Sequence, residues 1–141
     1  MAEYTAIALQ TVSAGGNVLF TETPICCTKG NIVHRDGSGV FRLRGNTNQC
    51  RALYKASFGA NIAIPTGGTV EAISIALALE GEPQESATAI VTPAAVEEFG
   101  NVYRSILISV PCNFCTTVTV ENTSDQAINV QNANLIIERI A

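Results

Sequence analysis

"VEAISIALALEGEPQE", residues 70–85, carries two conflicting signals. Ala, Leu and Glu favour helix. Against that, Ile73, Ile75, Leu77 and Leu79 fall on every second residue, with Ala72, Ser74, Ala76 and Ala78 between them. A period of two belongs to a strand, and it predicts one over 70–80 that ends in a hairpin at Gly81, with Glu80, Glu82 and Glu85 around a solvated tip. One face of this strand is bulky and the other is small but still apolar. The expectation is an inner strand whose small face packs against another chain.

The same alternation recurs on both sides, bounded by Gly, Pro, Asn and Ser clusters. Ile7 and Leu9 alternate with Ala6 and Ala8, and "NVLFT" follows the turn residues "SAGG" at 13–16. In "GVFRLRG", Phe41 and Leu43 share one face, opposite Val40, Arg42 and Arg44. "RALYKASFGANIAIP" places Ala52, Tyr54, Ala56, Phe58, Ala60, Ile62 and Ile64 on one side, and Arg51, Lys55, Ser57 and Asn61 on the other. "NVYRSILISVP" aligns Val102, Ile106, Ile108 and Val110 and stops at Pro111, where a strand would end. In "INVQNANLIIERI" the apolar parity changes between Ile128 with Val130 and Leu135 with Ile137, which predicts a bulge or turn near 131–134. One helical turn is expected at "TPAAVEEFG", with Thr92 as cap, Pro93 at the first position and Gly100 at the exit. The predicted fold is all-β: one domain over 1–141, an antiparallel sandwich or jelly roll of about 8–10 strands, with 1–39 as N-terminal strands or arm.

Composition narrows the function. The chain has 141 residues, 47% hydrophobic and only 14% charged, against roughly 25% charged in ordinary soluble chains. So few charges clothe a monomer poorly, and burial in an oligomer or larger shell is the expected remedy. A net charge of −4 opposes nucleic-acid binding, which needs clustered Lys and Arg. The local basic stretch of Arg42, Arg44, Arg51 and Lys55 reads as a solvated edge, or as partners for carboxylates of a neighbouring subunit. The apolar runs are too short to span a membrane. "MAEYTAIALQTV" lacks the basic and apolar regions of a signal peptide.

Taken together, "RALYKASFGANIAIP", "ISIALALEGEPQESATAIV", "NVYRSILISVP" and the closing "INVQNANLIIERI" resemble successive strands of the tumour-necrosis-factor and C1q-like jelly roll. They are most similar to its bacterial and phage branch, seen at the C-termini of collagen-like spore-surface proteins and in small phage virion proteins. The resemblance begins near Val40 and implies a homotrimer with inner-sheet strands around a three-fold axis. Carried onto this sequence, it places Tyr54, Phe58, Ala76 and Ile136 at or near that axis. Two departures stand out: no Gly-X-Y repeat precedes the domain, and "PCNFC" replaces a glycine-containing turn before the penultimate strand.

Chemistry-bearing residues are sparse. Cys112 and Cys115 have the C-x-x-C spacing that chelates zinc or cycles as a dithiol. A zinc site needs about four ligands, and only the adjacent Cys26 and Cys27, with His34 and Cys50, are on hand. Free thiols, disulfides within or between subunits, and a metal all remain open, and no cofactor or metal is assigned. His34 is the sole histidine; Asp36 and Ser38 lie close in sequence but read as residues of a D-G turn. "SAGGN" and "PTGGT" lack the Lys of a phosphate loop. No catalytic set is expected.

The expected function is a non-enzymatic structural protein: a homotrimeric decoration or head-fibre protein on a phage capsid, located at the virion surface, with the major capsid protein or another particle-surface protein as partner. The alternative is a spore- or cell-surface module recognising host glycans or a protein receptor through polar loops around 46–49 and 121–126.

Overall fold

In the computed structural model, which describes residues 1–26, 30–45 and 50–141, the segment Ile73–Leu79 is a strand. Ile73, Ile75 and Leu77 point into the core, as the period of two requires. The hairpin that follows turns through Glu80 and Gly81, both with positive φ (53° and 81°). Two left-handed residues make a type I′ turn, whose twist matches the flanking strands, and Leu79 pairs with Glu82 across it.

Eleven strands run through the described residues: β1 (Ala2–Ala6), β2 (Gln10–Val12), β3 (Glu22–Ile25), β4 (Ile32–Val33), β5 (Phe41–Arg44), β6 (Arg51–Ala63), β7 (Ile73–Leu79), β8 (Glu82–Val91), β9 (Gly100–Pro111), β10 (Cys115–Asn122) and β11 (Ile128–Arg139). They build two antiparallel sheets. The larger has the order β3-β1-β11-β6-β9, with β2 also on β11; the smaller has the order β4-β5-β10-β7-β8. No helix occurs among the described residues. Chain neighbours such as β5 and β6 lie in different sheets, and this crossing between layers gives the jelly roll its topology.

One apolar core fills the space between the sheets. From the larger sheet come Tyr4, Tyr54, Phe58, Ile62, Ile108 and Leu135; from the smaller come Phe41, Leu43, Ile75, Leu77, Val118 and Val120. In β11 the pairing with β6 shifts between Gln131 and Asn134, and Asn132 adopts φ 54°. This bulge lets Ile128 and Val130 face inward together with Leu135 and Ile137, despite their opposite parity.

Four expectations are corrected. The first strand is Ala2–Ala6 with Ala2, Tyr4 and Ala6 inward, which leaves Ile7 and Leu9 about half exposed. "NVLFT" is no regular strand: it joins the sandwich through isolated bridges Asn17–Glu121 and Phe20–Ser38, with Val18 and Phe20 buried. Residues 92–99 form bends and a turn instead of a helix. There Glu97 is left-handed (φ 61°) and its N–H donates to the Ile64 carbonyl (2.7 Å), while its carboxylate takes the Thr66 hydroxyl. A helical turn would forfeit those ties to the end of β6. Finally, the small face of β7 needs no second chain. Ala76 and Ala78 are buried within one chain, each set between larger residues of the same sheet: Ala76 between Thr88 and Glu121, Ala78 between Pro83 and Thr119.

Candidate functional site

Strand parity sends one set of side chains from the larger sheet into the core and the other outward. The outward set forms rows across the strands. One row runs Tyr103, Gly59, Asn134, Thr5; the next runs Ser105, Ser57, Ile136, Glu3 and ends beside Ile25; a third holds Leu107, Lys55 and Glu138. Tyr103 and Leu107 are each 61% exposed, and Ile25 is exposed as well.

The centre of this face is low. Ser57 and Gly59 sit in the middle of β6, and a Cβ on Gly59 would stand 3.1 Å from Asn134 Oδ1 and 3.8 Å from the Tyr103 ring. The absent side chain makes room for both neighbours. The outcome is a shallow saddle with apolar flanks and a small, neutral middle, on which another backbone can approach closely. Its charges are few and mixed: Lys55 faces Glu138, and Glu3 accepts from the Asn134 amide at 3.3 Å. At one end an amide row continues the face, Asn101 donating to Asn61 (3.2 Å) and Asn61 to Asn132 (3.4 Å).

The four residues assigned to a trimer axis separate. Tyr54, Phe58 and Ala76 are buried inside a single chain, so they offer nothing to a neighbour. Ile136 is half-buried and lies on the outward face. The face that could meet another copy is therefore the opposite parity of β6 and β9, in Ser57, Gly59, Tyr103 and Leu107. Sequence reasoning passed over these four as interface residues because the axis residues were carried over from the family resemblance, without regard to which parity of β6 faces inward. The usable signal was the alternation of small residues with Arg51 and Lys55 on the polar side of β6.

The other candidates do not converge on a reactive centre. His34 stacks on Phe41 (centroids 4.1 Å apart) with its edge at Tyr4, and its Nε2 meets the Ser38 carbonyl at 2.9 Å. Asp36 accepts from the Thr23 hydroxyl, and the Ser38 hydroxyl accepts from Val40 N–H. Each holds a turn, and no triad assembles from them. Cys112 N–H donates to the Cys50 carbonyl, which brings the ends of β6 and β9 together, while Cys115 pairs across from Arg44. Cys26 is disulfide-bonded. Cys27 and the loop 46–49 lie outside the described residues. Among the described residues no group of three or more His, Cys, Asp or Glu could hold a metal ion. Arg42 and Arg44 project from the smaller sheet whereas Lys55 projects from the larger, so the basic stretch is divided between two faces.

No family model and no curated protein matches the chain. Among solved structures it is similar to the globular domain of zebrafish complement 1qA protein, with 10% identity and a TM-score of 0.54, covering 96% of this chain and 94% of that one. It is also similar to the EclA C-terminal domain, a sugar-binding protein (14% identity, TM-score 0.37, 80% and 87% covered). A third likeness is to the arabinose-bound MgGH51 α-L-arabinofuranosidase (12% identity, TM-score 0.38, 96% and 23% covered). The last two likenesses are too distant to carry an argument. The first shows the fold: an antiparallel jelly roll of the C1q-like kind.

Proposed function

We propose that this chain is a non-enzymatic structural subunit that assembles as a homotrimer through the outward face of its larger sheet and decorates the surface of a larger particle, a phage capsid or virion. The observation that carries the reading is the saddle itself. Tyr103, Leu107, Ile25 and Ile136 surround Ser57 and Gly59 on a flat sheet of a chain that is only 14% charged. Specific interfaces bury about 1,200–2,000 Å² in total, at roughly 25 cal/mol per Å² of apolar area, and a saddle along two long strands offers a surface of that kind. The phage or virion setting comes from the sequence resemblance and is the finer part of the proposal.

Light scattering of the purified chain at micromolar concentration tests assembly. Three times the chain mass is expected for the native sequence, and a shift to monomer for Ser57→Arg and Leu107→Glu, which place charge on the saddle without touching the core. A native chain that stays monomeric overturns the reading. Addition of the protein to particles lacking it, followed by sedimentation, tests the second half: it should co-sediment at a fixed stoichiometry as the trimer.

A further inference from the structure

The opposite side of the sandwich holds a second concave feature. On β10, Val118 and Val120 turn inward, so Thr117, Thr119 and Glu121 line up on the outer surface of the smaller sheet, about 7 Å apart along the strand. Beside them runs the loop 13–17, docked by Gly15 N–H to the Asn122 carbonyl and Asn122 N–H to the Gly16 carbonyl (both 2.9 Å). Between this loop with Val40 on one side, and Gly81 on the other, lies a groove of about 360 Å³. That is the scale of a site for a small molecule.

One polar group at the groove lacks what it needs. Glu121 Oε2 is shielded from solvent and has no hydrogen-bond partner. Thr119 is only 7% exposed and lines the same groove. Buried polar atoms are nearly always paired, and an unpaired carboxylate oxygen is among the costliest exceptions. Both residues sit on one strand face and line the same groove.

The occupant's chemistry follows from what would satisfy Glu121 beside Thr119. A metal ion is disfavoured, because Glu121 is the lone carboxylate among the groove residues and hard cations take six or more oxygens. An ammonium group would pair with Glu121 but leave the hydroxyl row idle, and it would meet Arg42, which stands opposite Thr117. Neighbouring hydroxyls of a neutral ligand suit the whole row: two O–H groups donate to the carboxylate, and the next exchange hydrogen bonds with hydroxyls that both donate and accept.

We propose that this groove binds a polyhydroxylated ligand, a mono- or disaccharide unit, with Glu121 as the bidentate acceptor and Thr119 and Thr117 reading the adjoining hydroxyls. The groove is on the far side of the sandwich from the saddle, so the site stands or falls separately from trimer assembly.

The test is a titration of the full ¹⁵N-labelled chain, followed by amide NMR, with methyl glycosides of glucose, galactose, mannose and N-acetylglucosamine, and separately with n-butylammonium chloride. At least one glycoside should give saturable millimolar shifts confined to residues 15–17, 81 and 117–121. Glu121→Gln and the near-isosteric Thr119→Val should each weaken that binding about tenfold or more, because one charge-assisted or buried hydrogen bond is lost. The remaining amide spectrum, unchanged, reports that each variant is folded. Three results would overturn the proposal: no saturable shift with any glycoside, glycoside binding untouched by both substitutions, or saturation by butylammonium in place of the sugars.

Discussion

The Tyr54 hydroxyl donates to the Arg44 carbonyl at 2.7 Å, joining the larger sheet to the smaller through a side chain with no exposed surface. The Asn31 carbonyl lies 3.3 Å from the same oxygen. Phe at this position keeps the ring and removes the hydroxyl that ties the Arg44 carbonyl, while the Asn31 carbonyl still accepts from Arg44 N–H at 2.8 Å. Tyr54→Phe is expected to lower unfolding free energy by about 1–2 kcal/mol, read as a shift of the urea midpoint at constant slope.

Burial also governs how the fold responds to alkali. Desolvation raises the Tyr54 hydroxyl above its ordinary value, an effect opposed by Arg139 and by the Arg44 hydrogen bond, and it pushes Tyr4 up to about 12. Both folded values lie above the unfolded value of about 10, so the native state holds protons that the unfolded chain releases. The resulting stability is complete below pH about 10 and is lost as pH rises towards about 12. Urea midpoints should be level with respect to these groups up to that window and then fall. Tyr4→Phe should flatten the decline.

Asn122 holds the end of β10. Its amide donates to the carbonyls of Val12 (3.1 Å), Ser13 (3.2 Å) and Gln126 (2.9 Å) and accepts from Ser124 N–H (2.9 Å), all with the residue fully buried. Asn122→Ala should destabilise by about 3 kcal/mol. Asn122→Asp sets a carboxylate against three carbonyl oxygens, which favours its protonated form in the fold. Relative to the native chain, the Asp variant should be weakest at neutral pH and regain stability as pH falls towards about 4, with no further gain below it, followed by thermal unfolding across that range.

Gly45 packs where the β9–β10 turn closes: its N–H donates to the Phe114 carbonyl, and a Cβ there would lie 2.1 Å from the Pro111 oxygen. Backbone cannot yield as a flexible side chain does. Gly45→Ala should cost about 2–3 kcal/mol, seen in the melting temperature, with amide shifts concentrated at residues 111–115.

Much of the sandwich was legible because side-chain period reports directly on burial. Phe41 with Leu43, the even-numbered residues from Ala52 to Ile64, the turn at Gly81 and the irregularity in β11 all follow from alternation, and the structure shows each. The helical turn at 92–99 misled because Thr92, Pro93 and Gly100 are good boundary residues for a helix, while the deciding contact, Glu97 with Ile64, is distant in sequence. The small face of β7 misled for a related reason: periodicity states that Ala76 and Ala78 share a face but not that the larger Glu121, Thr119, Thr88 and Pro83 flank them in the same sheet. Asn122 gave no signal, since a buried amide is recognised only through the carbonyls that gather round it.

The extra residue in β11 also bears on how such a chain tolerates length change. Deleting Asn132 alone would remove the bulge and set Ile128, Val130, Ala133, Leu135 and Ile137 on one face of a regular strand, in register with β6. A two-residue loss at the same place would instead turn Leu135 and Ile137 towards water and Ile136 inward, so the deletion this strand tolerates there is a single residue.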